Sequence, residues 1–344
     1  MKICVLLATL LLLGSGRSAF AGAVGVREIE IPGVEQGAAI HAVLWYPADD
    51  NGRAVLIGEN AVFRGTQGFQ SAAVADGRFP LALISHGGFR AAPNIASWLA
   101  FALAADGFIA VVANPSPIPH GSATQSVLGE LWRRPADLSA TLTAVEQDAD
   151  LAEHVNKREI GGIGFFLGGS AVLELAGARI DAAALAKSCE GAAPGRDCAW
   201  LAQGRVDLRR VDAGRLERSN LDRRVRAAVV IDPELTGTLT TKSLGAVAVP
   251  VRVVNLGRGN TVPQTMNAST LSAKIPGSRY ATLPGAAASS SFAECKPNGR
   301  AVLQEEGGET SLCDDGAGRT RAQTHAALAA LVEAALRQSF SNRR

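Results

Sequence analysis

Residues 159–175 constrain the fold more than any other stretch of the sequence. They read EIGGIGFFLGGSAVLEL, so an apolar run leads into closely spaced glycines and then into a second apolar run. The first run is typical of a buried strand and the second of a helix. Glycine is favoured where two backbone segments come too close for a side chain. The pattern therefore predicts a strand, a very tight turn at Gly164–Gly169 and a helix that begins at once.

The rest of the chain predicts an α/β fold, with a mostly parallel central sheet covered by helices on both faces. The predicted strands are 26–31, 38–45, 79–85, 108–113, 225–231, 249–256 and 279–283. Further predicted helices are 95–105, one that begins at Pro135, and 321–337. Residues 49–78 are rich in Gly, Asn, Asp and Ala without a period, which predicts a long surface loop. Residues 181–224 interrupt the alternation and predict a small helical insertion over the sheet.

The first 21 residues have the pattern of a secretory signal peptide. Lys2 precedes an apolar run at 4–13, and Ala19-Phe20-Ala21 forms a small-x-small cleavage site. The apolar run is too short for a membrane-spanning helix, and no later run reaches about 18 apolar residues. An uncleaved anchor is the alternative. We predict an exported protein, periplasmic or extracellular, with no membrane span after cleavage and with residues 22–344 as a single domain.

Composition excludes several kinds of function. The chain is 47% hydrophobic and 19% charged, which is typical of a globular protein. Its 34 basic residues include Lys2 and Arg17 of the predicted signal peptide, so the mature chain would balance its 32 acidic residues. A near-neutral protein has no bulk electrostatic attraction to nucleic acid. The sequence has no nucleotide-binding glycine motif and no Cys/His cluster, so we predict neither a cofactor nor a metal.

Four cysteines follow the predicted signal peptide. They are Cys189, Cys198, Cys295 and Cys313. An even number in an exported protein favours two disulfides, and three pairings are possible. We expect the pairing with the short loops, Cys189–Cys198 and Cys295–Cys313. Free buried thiols are the alternative.

The predicted functional site lies where the strands end. In open α/β sheets, ligands bind beside the carboxyl ends of the strands. The segments there are His86–Gly88, 114–120, Gly164–Gly169, Asp232, Gly257 and 286–291. His86, His120 and Ser289 are candidates for the wall of a pocket at this edge.

Several of these segments together resemble one protein family. The segments are Pro80–Gly87, the Gly164–Gly169 turn, Ile231-Asp232-Pro233 and Phe292–Cys295, with Trp45-Tyr46-Pro47 and Arg134-Pro135-x-Asp137-Leu138 as further signatures. The chain resembles the secreted, dienelactone-hydrolase-like esterases related to platelet-activating-factor acetylhydrolase. The resemblance implies the α/β-hydrolase fold, in which the tight turn is a nucleophile elbow of the form G-x-S-x-G.

The family's catalytic triad is only partly present in this chain. By resemblance, Asp232 occupies the position of the acid, Phe166 that of the nucleophilic serine and Ala288 that of the histidine. The backbone N–H groups of Gly88 and Leu167 would form the oxyanion hole. Phenylalanine cannot attack a carbonyl, and alanine cannot move a proton. The sequence therefore predicts an α/β-hydrolase-fold protein without triad catalysis.

Three hypotheses follow for the function. The first is an exported pseudo-hydrolase that can bind a small ester or acyl ligand. The second is an active esterase with relocated residues, such as His120 with a loop serine. Ser170, one turn into the helix, is expected to hydrogen-bond back to the helix or face its neighbours, and no base is evident among Ser289, Ser290 and Ser291. The third is a structural or interaction protein whose pocket is filled by Phe166. The sequence does not indicate the oligomeric state.

Overall fold

The computed structural model describes residues 22–34, 38–49, 52–90, 92–114, 123–190, 194 and 197–342. The predicted signal peptide and the candidate His120 lie outside these residues. Among the described residues, no helix is long and apolar enough to cross a membrane.

Ten strands of the described residues form one sheet, in the order β10-β9-β8-β7-β5-β6-β2-β1-β4-β3. The strands are β1 Ala23–Ile31, β2 Ile40–Ala48, β3 Arg53–Ile57, β4 Thr66–Gln70, β5 Phe79–Ser85, β6 Ile109–Ala113, β7 Val155–Phe165, β8 Ala227–Ile231, β9 Val251–Leu256 and β10 Arg279–Leu283. The six strands from β10 to β6 in this order are parallel to one another. Antiparallel pairing joins β6 to β2, β2 to β1 and β4 to β3. The mostly parallel sheet is thus confirmed.

Helices cover both faces of the sheet. The helices are α1 Ser97–Ala105, α2 Glu130–Gln147, α3 Leu167–Leu175, α4 Ala182–Lys187, α5 Cys198–Gln203, α6 Ala213–Leu216, α7 Thr241–Gly245, α8 Ser269–Ala273, α9 Gly299–Glu305 and α10 Arg321–Ser341. Alternate residues of β5 point to opposite faces. Leu81 and Leu83 join a core with α2 and α3, whereas Ala82 and Ile84 join a core with α1 and α10. A strand buried on both sides is predominantly apolar, as the sequence of β5 is up to Ser85 at its end.

Two predictions of local structure are wrong. The stretch 49–78, predicted as a surface loop, contains β3 and β4, which pair with each other and extend the sheet beyond β1. Both are short, largely exposed strands, so they lack the apolar signal of a buried strand. The helix predicted to begin at Pro135 begins at Glu130 instead. A 3₁₀ turn at Gln125–Gly129 leads directly into it, so Pro135 lies inside the helix and cannot donate to the carbonyl of Leu131.

The predicted insertion and the predicted disulfides are both confirmed. Short helices α4, α5 and α6 occupy the insertion, each with an aspartate immediately before its first residue. Disulfides join Cys189 to Cys198 and Cys295 to Cys313. The first bridge closes a loop inside the insertion, and the second links the segment after β10 to the segment before α10.

Candidate functional site

Phe166 is the sole residue between β7 and α3. Its backbone has φ 55° and ψ −125°, a conformation that side-chain-bearing residues rarely adopt and that stores strain. A serine at this position of a hydrolase would present its hydroxyl at the top of the sheet. The structure therefore places a sharp strand-to-helix turn where the glycine pattern predicts it, with a phenylalanine at its apex.

Two glycines allow this turn because no side chain fits beside it. A Cβ on Gly164 would lie 2.2 Å from the carbonyl oxygen of Gly168. A Cβ on Gly168 would lie 2.4 Å from the carbonyl oxygen of Ser85, at the end of β5. Both contacts are with backbone, which cannot move aside. Alanine at either position would disrupt the turn.

Backbone hydrogen bonds connect the turn to the loops on either side of it. Phe166 N–H donates to the carbonyl of Ile231 at 3.2 Å, and Glu234 N–H donates to the carbonyl of Phe166 at 3.1 Å. On the other side, Gly168 N–H donates to the carbonyl of Gly87 at 3.3 Å. The structure thus brings together the elbow, the loop that carries Asp232 and the turn that carries Gly88.

The Phe166 side chain is buried in an aromatic cluster. Its ring centroid lies 5.4 Å from that of His86 and 5.8 Å from that of Phe292, and the residue is only 2% exposed. The His86 ring also contacts Phe165 at 4.7 Å and Phe292 at 5.0 Å. The Phe166 ring therefore occupies the space at the elbow, and it is not displayed to solvent.

His86 is a buried, neutral side chain. Its Nε2 lies 3.3 Å from the Oγ of Ser291, and that hydroxyl donates to the carbonyl of Ala288 at 2.8 Å. Because the serine proton is directed to Ala288, the network assigns a proton to Nε2, which donates to Ser291. Burial lowers the pKa of His86 to about 3, although the hydrogen bond that the ring donates to Ser291 opposes this shift. An imidazole of such low basicity is a poor general base.

Asp232 directly follows β8, beside the elbow, and is 1% exposed. Its Oδ1 accepts hydrogen bonds from Asn255 Nδ2 at 2.7 Å and from the N–H of Leu256 at 3.0 Å. Asn255 is fully buried and also accepts from the N–H of Ala268 and donates to the carbonyl of Met266. The carboxyl group is thus built into a hydrogen-bond network between β8 and β9.

The serines near the site donate their hydroxyl protons to backbone carbonyls. Ser170 Oγ donates to the carbonyl of Glu234, and Ser289 Oγ donates to the carbonyl of Asp314 at 2.5 Å. Ser290 Oγ donates to the carbonyl of Asp315 at 3.0 Å. Ala288 begins a 3₁₀ turn that ends at Ser291, and it packs against the core that contains Phe166. Of the pocket candidates, His86 therefore contacts the Phe166 ring at the elbow, whereas Ser289 donates its hydroxyl proton to the carbonyl of Asp314.

Arg134 supports the turn that carries Gly88. Arg134 is 4% exposed, and its guanidinium donates to the carbonyls of Gly87 at 2.7 Å and Gly88 at 3.1 Å. Burial lowers the pKa of Arg134, and Glu130, 3.8 Å away in α2, opposes that shift. With both carbonyls held in this way, the turn is fixed against the elbow.

The backbone donors predicted for the oxyanion hole are Gly88 and Leu167. Leu167 is the first residue of α3, and the first N–H groups of a helix have no partner within it. Among the described residues, neither of these N–H groups donates to a backbone carbonyl outside its own element. A Cβ on Gly88 would lie 3.3 Å from a carboxylate oxygen of Asp197 and 3.4 Å from one of Glu234. Negative charge beside this turn would oppose the formation of an oxyanion.

Sequence reasoning missed three contributors to the site. The sequence identifies Arg134 only as part of a signature motif, and it gives no indication that Ser291 is the partner of His86. Asn255 is the third, and the sequence does signal it, because it is a polar residue inside VVNL, the fully buried end of β9. A polar residue in a doubly buried strand needs a specific partner, here Asp232.

A small apolar cavity lies between the insertion and the sheet. Its volume is about 50 Å³, and its walls include Phe89, Leu185, Leu201 and the Cys189–Cys198 disulfide. Typical ligand pockets measure roughly 300–1,000 Å³. The cavity as it stands holds only a few atoms.

Comparisons with known proteins identify the fold. No protein-family model and no curated protein matches the sequence. Among solved structures, a ferulic acid esterase from Streptomyces cinnamoneus superposes with a TM-score of 0.59 at 17% identity, covering 92% of this chain and 90% of that one. A dienelactone hydrolase from Anabaena variabilis superposes with a TM-score of 0.43 at 13% identity, covering 92% and 99%. The chain has an α/β-hydrolase fold; at these identities the likeness concerns the fold and not the activity.

Proposed function

We propose that this protein is an exported α/β-hydrolase-fold protein that does not hydrolyse esters by a Ser-His-Asp triad. The observation that carries the proposal is the buried Phe166 ring at the apex of the elbow. A triad enzyme needs a hydroxyl at that point and an imidazole beside it. Losing both groups costs on the order of a million-fold in turnover.

The alternative of an active esterase with relocated residues receives little support. Within the described residues, Ser291 forms a hydrogen-bonded pair with His86, but Ser291 is fully buried and its hydroxyl donates to a backbone carbonyl. The pKa of about 3 makes His86 a weak base at neutral pH. Ser170 and Ser289 both donate to carbonyls.

The third hypothesis, a structural or interaction protein, fits the filled elbow best. The aromatic cluster leaves no space at Phe166 for an ester carbonyl, and the cavity under the insertion is about 50 Å³. Binding of a small ester or acyl ligand in that cavity would therefore require the insertion to move. We favour a non-catalytic protein in which the former site is part of the core.

Export is the remaining part of the proposal. It is supported by the sequence of the first 21 residues and by two disulfides, which persist in oxidising compartments. Periplasmic or extracellular location follows from the same reasoning.

Hydrolysis of p-nitrophenyl acetate tests the catalytic part of the proposal. We expect purified wild-type protein to show no turnover above a heat-denatured control. The double variant Phe166→Ser with Ala288→His should gain esterase activity, because the loop that carries Asp232 lies beside the elbow and the glycines hold the turn. The single variant Phe166→Ser should gain much less, since His86 is too weak a base to activate the new hydroxyl.

Two outcomes would contradict the proposal. One is wild-type turnover that persists through purification and disappears in Ser291→Ala or His120→Ala, which would show relocated catalysis. The other is a folded double variant with no activity, which would show that Ala288 does not stand at the position of the histidine. Circular dichroism of each variant establishes that it is folded.

A further inference from the structure

A pair of arginines lies at the amino ends of β9 and β10, whereas the elbow lies at the carboxyl end of β7, at the opposite edge of the sheet. Arg252 and Arg279 are direct partners in the parallel register of these strands. Directly paired residues of neighbouring strands project from the same face, with the strands about 4.8 Å apart. Two like charges are therefore held side by side, an arrangement that is destabilising unless it is compensated.

The described residues provide no acidic partner for either arginine. Arg279 donates one hydrogen bond, to Gln338 Oε1 at 3.1 Å. Each guanidinium carries five N–H donors, so most of the donors of this pair are unused by the protein. Partial burial lowers the pKa of Arg252, and the charge of Arg279 lowers it further.

The two arginines line a cavity of about 280 Å³ with polar walls. Gln338, Ser339 and Asn342, at the end of α10, form the facing wall. The carbonyl end of a helix carries about half a negative charge. That partial charge offsets only part of two full positive charges, so the cavity keeps a net positive surplus.

We propose that this cavity, the Arg252–Arg279 pocket, binds a tetrahedral oxyanion such as a phosphate or sulfate group. A carboxylate has one charge and two oxygens, which satisfy a single guanidinium fork. A phosphoryl or sulfo group presents three or more oxygens and can accept from both guanidinium groups at once. The amide nitrogen of Gln338 and the side chain of Asn342 provide further donors. The site is separate from the elbow, so it does not depend on whether the protein is an enzyme.

Isothermal titration with inorganic pyrophosphate tests this site. At constant ionic strength, we expect one molecule to bind per chain and both Arg252→Gln and Arg279→Gln to weaken binding by about tenfold or more, the range for one charge-assisted contact. Arg223→Gln is the matched control, since Arg223 is exposed and has no ion pair among the described residues. Its affinity should equal that of the wild type.

A thermal unfolding series gives an independent readout. Pyrophosphate should raise the Tm of the wild type and of Arg223→Gln but not that of Arg252→Gln. Without the anion, Arg252→Gln should be as stable as the wild type or more stable, because a repulsion has been removed.

Four results would overturn the proposal. They are no binding by the wild type, equal binding of acetate, equal weakening by Arg223→Gln, and a loss of anion-free stability in Arg252→Gln. The second and third would indicate general charge screening. The last would indicate that Arg252 is a structural contact.

Discussion

Because the backbone at Phe166 is strained, we expect glycine to be more stable than alanine at this position, the reverse of the usual order. Removing the buried ring in Phe166→Ala should cost roughly 3–5 kcal/mol of unfolding free energy, because the residue is 2% exposed and the ring leaves a cavity. In most positions, glycine is a further 0.5–1 kcal/mol less stable than alanine, roughly. At φ 55°, however, glycine is free of a strain of about 1–3 kcal/mol that alanine retains. Phe166→Gly should therefore be more stable than Phe166→Ala, by about 1 kcal/mol.

Urea unfolding followed by tryptophan fluorescence measures this difference. The control is Ala171→Gly, a buried position inside α3 with helical backbone, where glycine should cost about 1 kcal/mol. The two alanine-to-glycine comparisons should thus have opposite signs. If glycine at 166 is destabilising by as much as it is at 171, the backbone there is not strained and the elbow geometry is wrong.

Two further predictions concern buried ionisable groups. Burial raises the pKa of Glu174 well above its ordinary 4.5, so the folded state keeps a proton that the unfolded state loses. The free energy of unfolding should therefore decline as the pH rises from about 4.5 toward the folded pKa of Glu174, and this decline should be shallower in Glu174→Gln. The same dependence of the unfolding free energy on pH in both proteins, from pH 4 to 8, would refute this prediction. Arg134→Lys should cost about 2–3 kcal/mol in urea unfolding, because an ammonium cannot reach the carbonyls of Gly87 and Gly88 with the same fork. An unchanged midpoint would show that the turn does not depend on the guanidinium.

The doubly buried strands could be predicted from the sequence because burial on both faces requires a predominantly apolar run. β5, β6, β8 and β9 all lie within two residues of their predicted bounds. The strands β3 and β4 could not be predicted, since exposed edge strands need no apolar pattern. Their place in the sheet depends on the pairing of β4 with β1 and of β3 with β4. Local patterns report burial, and they do not report which distant segment supplies a partner.

The same reason separates what was predictable in the candidate site from what was not. The turn at Gly164–Gly169 follows from steric exclusion between residues close in sequence. The contact of His86 with Ser291 joins residues more than 200 positions apart. The sequence does place His86 and the 286–291 segment at one edge of the sheet, but it does not say which serine faces the ring. That choice depends on the 3₁₀ turn at Ala288–Ser291, which has no distinctive pattern.

Fluorophosphonate labelling followed by mass spectrometry tests the central claim most directly. The reagent forms a covalent adduct with a serine that a neighbouring base has activated. With Phe166 at the elbow and the nearby serines bonded to carbonyls, the folded wild-type protein should carry no adduct. The Phe166→Ser, Ala288→His variant should carry one, on the peptide that contains the elbow. A stoichiometric adduct on any serine of the folded wild-type protein would contradict the account.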